Sequence, residues 1–499
     1  MKKPKFPTAH TILFLIAGLV AALTWLVPAG QYDRLSYDQT ANTFIRTSEG
    51  EATSLAATQE TLDGLNIKIG LDKFTNGDIG KPISIPGTYK NLDPRPQGVM
   101  ALFESPIKGI LAASDIILLV LIIGALIGIV NFTGAFEAGI AWLAVKLRGK
   151  EYTLIIMVTT LVALGGTTFG LEEETIAFYP ILIPIFLAAK YDAIVAVASI
   201  YVGSSLGTLA STTNPFSTII ASDAAGINWT VGLNDRLIMF VVGLIICIWY
   251  IIRYAQRVKK DPKRSVIHDQ LEDIQKLFVN TTQEGNVPKL TTRLRLVLLV
   301  FSFCFVVMIY GVSQLDWWFV EMTTVFLIGA ILIGLITRMN ERLFVEKFIE
   351  GANTLLGVSF IIGIARGVTV LMDDGLISDT LLYYSSSLTD GMHKGLFINV
   401  MLYIYSGLTF FIPSSSGMAV LTMPVMSPLA DGVGIGRELV VNAYLYGVGL
   451  FKIINPTGII LASLAIVNVG YDKWLKFVLP LVLMLCALAM VSLTVSVYL

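Results

Sequence analysis

Charge is what this chain has least of. Only 14% of its 499 residues are Asp, Glu, Lys or Arg, whereas a soluble protein carries about 25%. The charges also balance, to a net −1, so bulk electrostatics favour neither nucleic acid nor an acidic substrate. Cysteine is scarce. Cys247, Cys304 and Cys486 stand singly in apolar runs, without zinc spacing or a disulfide pattern, and read as small apolar residues. The three histidines, His10, His268 and His393, lie near termini or loops and form no metal constellation. Phosphate-loop and Ser/His/Asp signatures are missing too, which argues against an ATP-driven pump or any enzyme.

What is abundant is apolar sequence. Hydrophobic residues make up 55% of the chain, and mean hydropathy is +0.74. Repeated apolar runs of about 20 residues place it in the membrane class. Residues 1–30 read as an uncleaved first transmembrane helix. Its lysines keep the N-terminus cytoplasmic, and Pro28-Ala-Gly-Gln31 is a poor cleavage site. Residues 31–104 are too polar to insert and are expected to form an extracytoplasmic lid. A first half covers 105–255. A charged cytoplasmic linker, 256–293, follows and contains Arg257-Val-Lys-Lys-Asp-Pro-Lys-Arg264. Two connecting spans occupy 294–340, and a second half covers 341–499.

The halves repeat one order of parts. A long apolar helix (116–132; 355–372) leads to Gly134 or Gly375. An amphipathic segment follows (135–146; 376–388). Next comes a polar break, Gly165-Gly-Thr-Thr-Phe-Gly170 or Pro413-Ser-Ser-Ser-Gly417. Prolines four apart come next (Pro180 and Pro184; Pro424 and Pro428), and an Asn-Pro break closes the series (Asn214-Pro215; Asn455-Pro456). From Pro180 to Asn214 is 34 residues, and from Pro424 to Asn455 is 31. We read an internal repeat. Counting spans gives the halves opposite topology, with Lys146, Arg148, Lys150 and Lys190 inside, an arrangement characteristic of secondary transporters. The expected fold is an all-α polytopic membrane protein with two re-entrant hairpins (the first built on 161–169 and 176–189) and two broken helices.

The breaks carry the chemistry. Pro removes a backbone donor, and non-helical backbone at membrane depth must be buried in protein or line a cavity. Hydroxyls and free amides at Thr167, Thr168, Thr212, Thr213, Ser414, Ser415, Ser416 and Thr457 could hold an anionic group. Carbonyls beside Asn214 and Asn455 could hold a sodium ion. Glu172-Glu-Glu174 has no counterpart in the second half. Acids within membrane segments are functional by default, and one or two of these, Glu172 and Glu173 first, should face the cavity. They would bind Na⁺, relay H⁺ or pair with a substrate cation. Arg366, deep in an apolar helix, needs a partner: one of those glutamates or a substrate carboxylate. Lys452 beside the second break either faces the cavity or snorkels. Asp223, Asn442 and Tyr446 are weaker candidates.

The run Trp25-Leu-Val-Pro-Ala-Gly-Gln-Tyr32, the Gly170-to-Phe178 stretch around the glutamates, Asn214-Pro215, the stretch from Pro413 to Pro424, and Pro456-Thr457 resemble the C4-dicarboxylate anaerobic carrier-like family, YfcC-type branch. Members of that branch are described as basic amino acid antiporters. The resemblance implies membership of the ion transporter superfamily and a homodimer in a bacterial inner membrane. It implies a scaffold and a transport domain that moves in elevator fashion, with binding sites at hairpin tips and broken helices. No cofactor is implied beyond coupling Na⁺ or H⁺. The expected function is a secondary carrier of small carboxylate-bearing metabolites. The Glu run favours basic amino acids over C4-dicarboxylates; a channel is a remoter reading.

Overall fold

Apolar runs fold as helices because a helix satisfies its backbone polar groups within its own segment. The computed structural model describes residues 7–499 except 68, 77, 78, 80, 81, 137, 140, 141, 143–149, 280–289, 316 and 390. Among the described residues, eight helices are long and apolar enough to cross a bilayer. The opening helix, Ala9–Leu23, is shorter, at 15 residues.

The chain is not wholly α-helical, contrary to the expectation above. Six strands occupy the polar insert: β1 (Gly30–Gln31), β2 (Arg34–Asp38), β3 (Thr43–Ser48), β4 (Glu51–Ala56), β5 (Ile83–Ser84) and β6 (Lys90–Asn91). An antiparallel sheet runs β4-β3-β2-β5, and β1 pairs with β6. Tyr, Ile and Thr suit such a half-buried pleated surface. Leu35, Phe44, Leu62, Phe74 and Ile83 form its core, which Val420 of the second half completes. Two ion pairs tie the insert sideways, Arg34 to Asp379 at 2.8 Å and Lys73 to Asp223 at 3.1 Å. Helix Val99–Ala112, with Pro106 inside it, begins within the last residues of the 31–104 stretch.

The same kinds of element recur in the same order, several at matching length. A bent pair opens each half: Val99–Ala112 and Ser114–Phe132 (14 and 19 residues), then Glu341–Thr354 and Leu356–Asp374 (14 and 19). Each pair bends at one residue, Ala113 or Leu355. A hairpin follows. Its arms are Tyr152–Phe169 and Tyr179–Ala188 in the first half, and Lys394–Phe411 and Ser415–Val433 in the second. The arms therefore run longer than the 161–169 stretch suggested. Next come the broken helices. Ala193–Leu209 resumes as Pro215–Ile219 and Ile220–Ala224; Arg437–Lys452 resumes as Ile460–Ile466. A 28-residue helix ends each half, Leu233–Lys260 and Tyr471–Tyr498. The two connecting helices are Thr292–Gln314 and Phe319–Ile336. Of the amphipathic segment 135–146, most lies outside the described residues, as do Lys146 and Arg148.

The bent pairs cross each other through glycine. Val99–Ala112 packs along Leu356–Asp374, and Glu341–Thr354 along Ser114–Phe132. A Cβ on Gly109 would lie 2.1 Å from the Gly363 carbonyl oxygen. One on Gly351 would lie 2.5 Å from that of Gly124. Lacking a hydrophobic drive between helices in lipid, such contacts depend on close backbone approach.

Candidate functional site

Each Asn-Pro break is stitched to the hairpin of its own half. The Asn214 amide donates to the Gly166 carbonyl (3.1 Å), and its Oδ1 accepts from the Phe216 N–H (2.8 Å). The Asn455 amide donates to the Thr409 carbonyl (2.9 Å), and its Oδ1 accepts from the Thr457 N–H (3.1 Å) and hydroxyl (2.8 Å). Pro215, six residues after Leu209, and Pro456, four after Lys452, lie in breaks that leave carbonyls and amides orphaned. Asparagine, with a donor and an acceptor on one short arm, repairs both sides of the break. The threonines do similar work. Thr167 donates to the Ala210 carbonyl (2.6 Å) and accepts from the Thr212 N–H (3.1 Å). Thr213 donates to the Thr168 carbonyl (3.2 Å), while Thr168 bonds back to the Leu164 carbonyl (2.6 Å). The Thr457 hydroxyl also donates to the Phe410 carbonyl (3.0 Å).

Both hairpin tips open on one cavity of about 390 Å³. At the first tip Gly170 ends its helix in the left-handed region (φ 80°), a conformation glycine adopts without strain. A Cβ there would meet Asn214 Oδ1 at 2.9 Å, so glycine also allows the tip to close on the break. Beyond it the chain enters a 3₁₀ turn, Glu173–Phe178. This geometry replaces the continuous helix that would have splayed three adjacent acids apart. Glu172, Glu173 and Glu174 all border the cavity, where one or two were expected. Glu174 turns back to accept the Glu172 N–H (3.1 Å).

The second tip contributes Pro413, Ser414, Ser415 and Ser416. Ser414 caps helix Ser415–Val433 by accepting the Gly417 N–H (3.2 Å). The start of that helix faces the cavity and brings its partial positive charge. Arg366 also lines the cavity, half-buried. Among the described residues it has neither an ion pair nor a hydrogen bond. The expected glutamate partner is taken: Glu172 pairs with Lys452, a residue buried outside the lining, which neither faces the cavity nor snorkels.

Of the residues singled out from sequence, Glu172, Glu173, Asn214, Arg366, Ser414, Ser415, Ser416 and Thr457 border the cavity. Thr167, Thr168, Thr212, Thr213 and Asn455 do not; they hold the breaks in shape. Asp223 is salt-bridged to Lys73, and Asn442 accepts from Arg236 (3.4 Å). Asp115 was missed. It borders the cavity at the bend of the first pair and makes no ion pair among the described residues. The available signal was an acid directly before a long apolar run. The apolar wall was missed as well. Phe216 meets Trp318 edge-on with ring centroids 4.9 Å apart, and Met322, Ile361 and Ile459 complete that side.

The model of the C4-dicarboxylate anaerobic carrier family matches residues 6–498, and the chain belongs to that family of membrane transporters. It is 42% identical over 493 residues to an uncharacterized protein of Haemophilus influenzae, covering 99% of this chain and 97% of that one. It is 29% identical over 490 residues to "Putative basic amino acid antiporter YfcC" of Escherichia coli, covering 94% and 92%. Among solved structures, it resembles the YdaH transporter of Alcanivorax borkumensis (TM-score 0.43, 14% identity, 98% of each chain covered). It also resembles MtrF of Neisseria gonorrhoeae (TM-score 0.40, 15% identity, 99% and 96% covered).

Proposed function

We propose that this member of the C4-dicarboxylate anaerobic carrier family is a secondary carrier that exchanges amino acids, basic ones foremost, by alternating access. One observation carries the reading: Arg366, without an ion pair among the described residues, shares a cavity with an excess of carboxylates. The cavity size suits a small metabolite. Arg366 and the helix start at Ser414–Ser416 would take the substrate carboxylate. Glu173 and Asp115 would take its ammonium and a cationic side chain. Glu172 is already neutralised by Lys452. A C4-dicarboxylate would bring two anionic groups to a site with one unpaired cation and several acids, which is electrostatically unfavourable. The name carried by the Escherichia coli relative agrees with the amino acid reading.

The second reading is C4-dicarboxylate transport, favoured by the family description and by Arg366 beside a helix N-terminus. Either substrate suits two inverted repeats that rock around a midplane site, and the recurring element lengths support that architecture. An elevator-type transport domain, a homodimer, a bacterial inner-membrane location and a cytoplasmic N-terminus belong to the same proposal. Exchange of one substrate for another needs no coupling ion. Where transport is uphill, a proton on Glu173 is the candidate driver, and a sodium ion near Asn214 or Asn455 is the rival to it.

Counterflow in proteoliposomes tests this. Vesicles preloaded with arginine or succinate are assayed with and without a sodium or pH gradient. Arginine exchange supports the amino acid reading. Succinate exchange with no arginine exchange moves the weight to Arg366 and the serine tip, and refutes it.

A further inference from the structure

A broken membrane helix facing a carboxylate is the usual composition of a hard-cation site: turned-out carbonyls, an amide oxygen and a negative charge. The second break has all of these, yet its oxygens are committed. The Lys452 carbonyl accepts from the Tyr201 hydroxyl (2.8 Å). The Ile453 carbonyl accepts from the Trp474 indole N–H (2.9 Å), and that of Ile454 from the Tyr471 hydroxyl. The Asn455 carbonyl accepts the Gly458 N–H (3.1 Å), and the Asn455 Oδ1 is held by Thr457. Tyr201 and Trp474 are buried and meet edge-on at 6.0 Å, roofing these carbonyls with aromatic rings.

The positive charge at this break comes from the chain itself. Lys452 closes helix Arg437–Lys452, its side chain is 6% exposed, and its ammonium is paired with Glu172 at the tip of the other half's hairpin. The pair is not a by-product of the repeat. Three residues before the first Asn-Pro break stands Ser211, whose hydroxyl is bonded to that of Ser217 (2.9 Å). The place of the Glu run in the second half is held by Met418-Ala-Val420. Each member of the pair is therefore present in one half only.

We propose that the Lys452 ammonium takes the place of a coupling cation between the first hairpin tip and the second broken helix, so that exchange runs without sodium. This deepens the carrier reading and rests on it. A cation fixed to the broken helix travels with it and is neither picked up nor released. The negative charge of Glu172 is thereby compensated throughout the cycle without an ion from solution.

Two measurements test this. The thermal unfolding midpoint of the purified wild type is compared in sodium chloride and choline chloride, with no substrate present. Equal midpoints are expected; a rise specific to sodium overturns the proposal, by the linkage that raises stability when an ion binds the folded state. Arginine exchange, or succinate exchange if arginine is not carried, is then compared in the same two salts. Equal wild-type rates are expected, and loss of exchange in choline overturns the proposal. Lys452→Met, which leaves Glu172 without its fixed counter-charge, separates a cation's role from a mere tie. It should lose exchange by roughly tenfold or more in choline and recover it in sodium, while Lys452→Arg keeps exchange in both salts. A folded Lys452→Met variant that exchanges equally in the two salts overturns the proposal. If neither probe exchanges at all, the carrier reading fails, and the midpoints still decide the question of sodium.

Discussion

Arg366 offers the sharpest test of how the cavity works. The perturbation is Arg366→Gln, with Arg366→Lys beside it. Because Arg366 has no ion pair or hydrogen bond among the described residues, its removal gives up only its longer-range attraction to Asp373. We predict an unfolding midpoint within the range of a neutral surface change, about 0.5 kcal/mol. Its contribution should appear only with substrate bound. A hydrogen bond to a charged group is worth about 1.5–3 kcal/mol, so losing it should raise the half-saturation concentration roughly ten- to a hundredfold. The lower end applies here, because Arg366 is only half-buried and water screens it. Lysine keeps the charge but not the planar fork, and should fall between glutamine and the wild type. The assay is counterflow at graded external arginine. Unchanged half-saturation in Arg366→Gln refutes the reasoning, as does a large loss of stability, which would reveal a partner within the protein.

Other predictions concern the frame around the site. Asn455→Ala strips the Thr409 carbonyl and the Thr457 N–H of their bonds. At a buried site this should cost about 1–3 kcal/mol for each group left unpaired, read as a lower melting midpoint in detergent; an unaltered midpoint counts against the stitching role. Gly109→Ala should prevent folding or lower the midpoint sharply, since its Cβ would stand 2.1 Å from the Gly363 oxygen. Gly18→Ala, with nothing within 4 Å of the new atom, serves as the tolerated control, and equal behaviour of the two variants contradicts the crossing described here. In the insert, burial pushes the Asp33 carboxyl up, but the Ser48 hydroxyl and the Arg46 guanidinium (Nε at 2.9 Å) outweigh it and leave its pKa lowered. A lowered carboxylate stabilises the fold above its ordinary value of about 3.9 and loses that contribution as pH falls through the folded value. Acidification through this range should therefore speed proteolysis of the insert, and less so in Arg46→Gln; equal acid sensitivity in both proteins would refute the linkage.

Much of the frame was legible in the chain. Both breaks lie where the Asn-Pro pairs placed them, because proline lacks the N–H and clashes with the preceding turn, although Pro106 and Pro184 are accommodated inside helices. The two connecting helices follow from uninterrupted apolar runs. The insert was legible only as polar. Its sheet depends on pairings such as Leu35 with both Arg46 and Ile83, and short strands that lean on Val420 for part of their core leave a weak local signal. Asn455 reads as a ligand in sequence and is a brace in the structure, because the carbonyl it satisfies lies 46 residues away.

By itself, the sequence determined that the chain is a membrane protein, that two of its apolar runs are broken at Asn-Pro pairs, and that few charges lie within those runs. Those properties follow from composition and local backbone chemistry. Only the tertiary structure decided which charges neutralise one another. Glu172 could have met Arg366 or Lys452, and it meets Lys452, 280 residues away, because the second broken helix ends against the first hairpin tip. That choice leaves Arg366 without an ion pair among the described residues, in a cavity that Asp115 also borders. Ion pairing falls off over a few ångströms, and distances on that scale are set by helix crossings such as Gly109 on Gly363, which spacing along the chain does not encode.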